Sequence, residues 1–260
     1  MNILITGANG YVGKSIYCAL KNVYNITCIT RNDFDLTNLN CCSDWFYNKS
    51  FDVVIHTAAV GGSRLIKDDE SVLTKNIKIY NNIISCRKHF NKMIYFGSGA
   101  EIFQPNTFYG TSKKVISELI NETESVYNLR IFGVFDENEL NTRFIKANIL
   151  RYINKEPMLI QSNKLMDFFY MKDLISLVQY YIKNDTLDKT INCSYETKST
   201  LVNIANFINT LSDYKVSVNI EQKHTLDFYC GNSYLPITPI GLEQGILNTY
   251  KIFKNNSCII

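Results

Sequence analysis

Four absences narrow this chain before any motif is read. Its 260 residues carry 27 lysines and arginines against 24 aspartates and glutamates, a scattered net charge of +3. That leaves no electrostatic footprint for nucleic acid, which is excluded as an expected partner. No run of about 18 apolar residues exists, and the first residues show neither a basic leader nor a cleavage site, so the expectation is a soluble, cytoplasmic protein with no membrane partner. The eight cysteines (Cys18, Cys28, Cys41, Cys42, Cys86, Cys193, Cys230, Cys258) form no C-x-x-C pair. Buried free thiols in a reducing compartment are expected, with neither disulfides nor a metal site. Internal repeats and low-complexity linkers are missing as well. With 46% apolar residues, there is ample core for one domain, or for one domain and a small lobe.

The informative stretch is the first thirteen residues. Asn2-Ile3-Leu4-Ile5-Thr6 predicts a short buried strand, and Gly7-Ala8-Asn9-Gly10-Tyr11-Val12-Gly13 follows at once, opening a helix to about Leu20. Glycines at this spacing let the backbone turn sharply, approach a ligand and pack helix on strand, while free N–H groups and the helix dipole favour a pyrophosphate. A loop that merely needs positive φ could look the same. Its place between an apolar strand and an amphipathic helix points to a dinucleotide, with Gly7, Asn9, Gly10, Tyr11, Val12 and Gly13 as candidate ligands.

Further along, residues 26–30 predict a second strand ending on Arg31-Asn32-Asp33. At that place an acidic residue would hold the ribose hydroxyls of NAD and an arginine a 2′-phosphate, so Arg31 favours NADPH. Residues 51–55 predict another buried strand, delivering His56-Thr57-Ala58-Ala59, where small Ala58 and Ala59 would let backbone approach the cofactor. His56, ending an apolar strand, reads as a positioned imidazole rather than a base. A loop over 60–64, a helix over about 71–90 and a strand over 92–96 follow, then Gly97-Ser98-Gly99-Ala100. This alternation predicts a parallel, doubly wound sheet whose ligand crevice lies beyond the strand C-termini. Tyr109-Gly110-Thr111-Ser112-Lys113 then opens a helix to about Thr123. Tyr109 and Lys113 lie four apart on one helical face. An ammonium there would stabilise the phenolate, and the Ser98 hydroxyl would polarise the same substrate oxygen, giving a proton donor for a carbonyl under reduction.

With these motifs the chain resembles the extended short-chain dehydrogenase/reductase family of nucleotide-sugar enzymes over roughly residues 1–213. Within it the closest likeness is to the GDP-L-fucose synthase group of 4-keto sugar reductases, carried by residues 30–36, by residues 56–62 and by Gly97-Ser98 ahead of Tyr109 and Lys113. The resemblance implies catalytic roles for Ser98, Tyr109 and Lys113, and NADPH held by the glycine turn, Arg31, Ala58, Ala59, Tyr109 and Lys113. It places Asn76 on a helix beside the active site and implies a homodimer through the helices over 71–90 and from Tyr109, whose apolar stripes are Val72, Ile79, Ile83 and Val115, Ile116, Leu119. It further implies a Rossmann-type domain over residues 1–135 and a small substrate lobe over 136–260, with about 165–195 returning to the first domain. Helices over about 143–154, 173–183 and 201–211 and a strand over 190–193 are expected there.

Departures from the group are informative. Fucose synthases carry a cysteine where this chain has Ala100, and a histidine where it has Arg143. An arginine that looks like a phosphate ligand in relatives is Met166 here, with Lys164 the candidate substitute, and Gly133 replaces a usual asparagine. Ser98, Gly99, Ala100, Arg143 and Lys164 are the candidate substrate contacts. His224, before Phe228-Tyr229, reads as structural. The expected activity is NADPH-dependent C4 reduction of a nucleotide-linked, GDP-linked by preference, 4-keto-6-deoxy sugar (hexose or heptose), without 3,5-epimerisation, in polysaccharide precursor synthesis. An NAD-dependent 4-epimerase and a non-catalytic NADP-binding protein are the alternatives.

Overall fold

The structure, a computed structural model, describes residues 1–63, 66–232 and 234–257, with 223–226, 256 and 257 described by backbone alone. The expectations on Arg64, on Cys258 and on the His224 side chain lie outside the described residues. In chain order the elements are β1 (Asn2–Thr6), α1 (Tyr11–Leu20), β2 (Asn25–Ile29), α2 (Leu39–Phe46), β3 (Phe51–His56), α3 (Glu70–Ser85), β4 (Phe90–Ser98), α4 (Ala100–Phe103), α5 (Phe108–Glu122), β5 (Val126–Ile131), β6 (Val134–Phe135), α6 (Phe144–Ile153), β7 (Met158–Met166), β8 (Phe169–Tyr170), α7 (Met171–Lys183), β9 (Thr190–Cys193), α8 (Leu201–Ile208), β10 (Val218–Tyr229) and α9 (Leu242–Ser257). Contacts divide the chain into two compact units, Met1–Arg130 with Val178–Ile191, and Ile131–Leu177 with Asn192–Ile260.

In the first unit β1 pairs in parallel with β2 and β3, and β3 with β4, in a sheet ordered β2-β1-β3-β4-β5-β9. This is the doubly wound, Rossmann-type α/β fold expected. The strands are nearly continuous apolar runs because helices cover both faces. Alternation sends Leu4, Val54, Met93 and Tyr95 into one cluster with Phe46 of α2, Tyr80 and Ile83 of α3 and Ile116 and Ile120 of α5. The chain leaves β1 to one side for β2 and to the other for β3, so a crevice opens beyond the C-terminal ends of β1 and β3.

Several expectations need correction. The α3 and α5 stripes are not free faces: Val72, Ile79, Ile83 and Ile116 are buried within the protomer. Only Val115, half-buried, and Leu119, exposed, remain of them. Helix α3 stops at Ser85 and a 3-10 turn, Arg87–His89, intervenes, because Phe90 is spent as the buried first residue of β4. Of the described cysteines, all free, only Cys42, Cys86 and Cys193 are buried; Cys18 is exposed and Cys28, Cys41 and Cys230 are half-buried.

The second unit is built on two parallel strand pairs, β7 with β10 and β6 with β8. Its core gathers Phe135, Ile145, Ile149, Tyr152, Met158, Ile160, Leu201, Ile204 and Ile246. Asp173 is a buried anchor, taking the Tyr195 hydroxyl at 2.5 Å and the N–H groups of Ile240 and Gly241. Among the described residues, no helix is long and apolar enough to cross a membrane and no cluster of metal-binding side chains forms.

Candidate active site

The glycine turn closes the end of β1. Gly7 has φ +69°, and a Cβ there would lie 2.7 Å from both N and Cα of Ala58, so a side chain is excluded on conformation and on space. The end of β3 is drawn in by the Thr57 hydroxyl, which donates to the Thr6 carbonyl at 2.7 Å. Asn9 is exposed in the turn, Tyr11, Val12 and Ala58 are half-buried, and Ala59 is exposed. Gly10 is the N-cap of α1 and supplies no side-chain cap, and no acidic residue occupies the first turn. The N–H groups and positive end of α1 therefore suit an anion, and the residues present fit a dinucleotide pyrophosphate.

Arg31 is exposed just past β2. Its acidic neighbour Asp33 is bonded back to Thr30, accepting from the Thr30 N–H at 2.7 Å and the Thr30 hydroxyl at 2.9 Å. Asp35 is held below the usual carboxylate range, first by the N–H and hydroxyl of Thr37, then by the charges of Arg31 and Lys75.

Ser98 ends β4 and is half-buried. Its N–H donates to Glu101 Oε1 at 2.8 Å, and its Oγ accepts from the Ala100 N–H at 3.2 Å. Glu101, buried beneath this turn, pairs with Arg130 Nε at 2.8 Å. Gly99 is the N-cap of α4, and Ala100, expected at the substrate, is only 2% exposed. Thr107 caps α5 by accepting from the Gly110 N–H at 3.0 Å. A Cβ on Gly110 would collide with the carbonyl oxygens of Gln104 and Ala100, so this glycine is what lets the first turn of α5, with Tyr109, pack onto α4. Lys113 is 3% exposed. Its ammonium lies 5.6 Å from the Tyr109 ring centre and donates to Tyr95 Oη at 2.8 Å and to the Phe96 carbonyl at 2.7 Å. Burial pulls its pKa down to about 8, against the opposing charge of Glu101.

Two further side chains frame these groups. His56, buried at the end of β3, bonds Thr6 Oγ1 through Nδ1 at 2.7 Å. Asn76 of α3 accepts from the Val60 N–H at 2.8 Å, donates to the Val60 carbonyl at 3.0 Å and reaches Ser112 Oγ of α5 at 3.1 Å. The structure thus gathers the glycine turn, Ala58, Asn76, Ser98, Tyr109 and Lys113 in one unit. Glu101, Tyr95, Arg130 and Gly110 join them without any signal of their own in the sequence, beyond Gly110 lying inside the Tyr-x-x-x-Lys motif.

Arg143, Lys164 and Met166 belong to the second unit. Arg143 is the half-buried N-cap of α6. Its charge opposes the burial that pushes the Glu139 carboxyl up to about 8. Lys164 lies in β7, in register with Asp227 of β10. Met166 is 2% exposed and part of the core, and its Cε would lie 3.4 Å from a Cβ on Gly133. The two departures from the family pattern are thus neighbours, the methionine packed in space that a small residue leaves open.

A nucleotide-binding sheet edge carrying serine, tyrosine and lysine defines a dinucleotide-dependent enzyme of the short-chain dehydrogenase/reductase type. The chain belongs to the NAD dependent epimerase/dehydratase family, whose model matches residues 3–194; this is the extended branch of those enzymes. It is 23% identical to GDP-L-colitose synthase of Yersinia pseudotuberculosis, over 98% of both chains. Among solved structures it is similar to the UDP-glucose 4-epimerase of Thermotoga maritima with UDP-glucose (TM-score 0.81, 16% identity, 99% of this chain and 100% of that one). It is also similar to a GDP-mannoheptose C4 reductase of Campylobacter jejuni with NADP bound (TM-score 0.79, 17% identity, 97% and 98%).

Proposed function

We propose that this protein is an NADPH-dependent reductase of the C4 ketone of a nucleotide-linked 4-keto-6-deoxy sugar, a hexose or heptose carried on GDP. The observation that carries the reading is the conjunction of Ser98, Tyr109 and buried Lys113 with Arg31 past a β2 end whose acidic neighbour, Asp33, is bonded back to Thr30. NADPH supplies the hydride when bound, on the glycine turn and Arg31. Tyr109 gives a proton to the C4 oxygen as it gains charge. Lys113 favours the phenolate that this leaves, and Ser98 hydrogen-bonds the same oxygen. The reductase and synthase relatives with GDP-linked names support the choice of nucleotide.

Similarity to the UDP-glucose 4-epimerase supports a second reading, an epimerase with tightly held NAD. The exposed Arg31 argues against it. GDP-, dTDP- and UDP-linked 4-keto sugars should be assayed with NADPH, the product stereochemistry being read by NMR. Stoichiometric NADPH oxidation with a GDP-linked ketone is expected, and NAD retained through purification with no NADPH turnover would favour the epimerase. A cytoplasmic homodimer is the assembly that fits this reading. Light scattering at micromolar concentration should give twice the chain mass, and a monomer mass would remove the dimer.

A further inference from the structure

Helix geometry alone does not place Lys113 beneath Tyr109. An ammonium has three N–H donors, and Lys113 spends two of them on neighbouring residues of β4, the Tyr95 hydroxyl at 2.8 Å and the Phe96 carbonyl at 2.7 Å. Whatever it does for Tyr109 or a ligand rests on the one that remains. Tyr95 is fixed for this task. It is 2% exposed, its ring lies against His56 (5.8 Å between centres, 27° between planes) and meets the Tyr80 ring edge-on (5.8 Å, 79°). Burial, and after it the negative charge that Tyr109 or Glu101 would carry, raises its pKa well above the usual phenol value. It therefore stays a neutral acceptor.

We propose that Tyr95 is a positioning residue of the proton-transfer machinery: its hydroxyl ties the Lys113 ammonium to β4 and so fixes the pH range in which the Tyr109–Lys113 pair works. The kinetic half of this rests on the reductase reading, whereas the half concerning Lys113 rests on the geometry. The groups facing Lys113 are Tyr95 from β4, Tyr109 from its own helix, Glu101 from α4, itself paired with Arg130 of β5, and His56 from β3. Glu101 favours the charged lysine and burial disfavours it. His56 is neutral above about pH 3 and adds no charge. Removing the Tyr95 oxygen takes a charge-assisted hydrogen bond from the ammonium and at most a weaker neutral one from the amine, so Lys113 should release its proton at lower pH.

Tyr95→Phe keeps the ring and its packing, and Tyr95→Leu removes the same oxygen with a different shape. The full-length protein is labelled with 13C at the lysine ε carbons, and the Lys113 resonance is assigned by its loss in Lys113→Arg. In both Tyr95 variants its titration midpoint should fall by about one pH unit, the scale of one hydrogen bond to a charged group. Tyr80→Phe, whose ring meets Tyr95, should leave it in place. With NADPH and a keto sugar, the alkaline limb of kcat should move down by the same amount while KM for the sugar hardly changes. An unmoved Lys113 titration in Tyr95→Phe overturns the proposal whether or not a sugar is reduced. A moved titration with no reduction of any keto sugar supports the tether and removes the reductase reading instead.

Discussion

His56 and Lys113 are both buried in the first unit, and only one of them is built to carry charge. Burial first, then the positive charge of Lys113, drives the His56 pKa to about 3, so its imidazole is neutral and serves the bond to Thr6. An unfolded histidine titrates near 6.5. Between about pH 3 and 6.5 the unfolded chain binds a proton that the folded chain refuses. The stability that His56 confers is therefore complete above 6.5 and drains as pH falls, by up to about 1.4 kcal/mol per pH unit. His56→Asn keeps a polar atom near the Nδ1 position. Urea midpoints measured from pH 7 to 4.5 should fall less steeply in that variant than in the wild type, and parallel curves would clear His56 of any part in acid unfolding. Arg31 tests the cofactor. If it holds the 2′-phosphate through charge-assisted bonds, Arg31→Ala should weaken NADPH about ten-fold or more and leave NADH nearly unchanged; equal losses would remove the assignment. Ser98, Tyr109 and Lys113 could be read from the sequence because their spacing is local and their chemistry familiar. Tyr95 and Arg130 could not, since each reaches its partner across 18 and 29 positions respectively, through folded contacts that no local pattern encodes.

Among elements, those of the sheet were legible where an apolar run met a turn, as at β1 and β9, both found with the bounds expected. Helix α2 escaped because it is short and its buried residues are just Cys42 and Phe46. Strand β10 escaped because the polar stretch Glu221-Gln222-Lys223-His224 interrupts the alternation of Val218 and Ile220 with Leu226 and Phe228; it exists through its parallel pairing with β7. Helix α9 was hidden by Gly245, which reads as a breaker but lies where a Cβ would sit 2.8 Å from the Tyr170 ring. The join of α4 to α5 is the element-scale feature with the sharpest consequence. Gly110→Ala would drive a methyl into the Gln104 and Ala100 carbonyls, and backbone cannot yield as a side-chain end can. A loss of about 1–3 kcal/mol is expected from overpacking, with kcat reduced further because the first turn of α5 carries Tyr109. Chemical denaturation and turnover measured on the same variant check both, and an unchanged midpoint would mean that α5 is free to shift away from α4.

At the scale of the whole molecule, residues 126–131 form one strand, β5, although the division between the two units falls inside it at Arg130. No local pattern marks such a place, and the return of Val178–Ile191 to the first unit is a matter of contacts made far along the chain. Epimerisation beside a ketone needs a base to take the acidified proton from one face and an acid to return it on the other, with pKa values near working pH. By resemblance those are a cysteine and a histidine, replaced here by Ala100 and Arg143. Ala100 has no proton to move and is 2% exposed. An arginine keeps its charge in proteins, which makes it an anchor for phosphate or hydroxyl rather than a base. The enzyme should therefore reduce the ketone it receives without inverting its neighbours. The measurement is incubation of the 4-keto sugar with enzyme in D₂O, NADPH omitted, followed by NMR at C3 and C5. No deuterium above the buffer control is expected. Incorporation would overturn the reduction-only reading. Loss of that exchange in Tyr109→Phe would then assign it to the phenol.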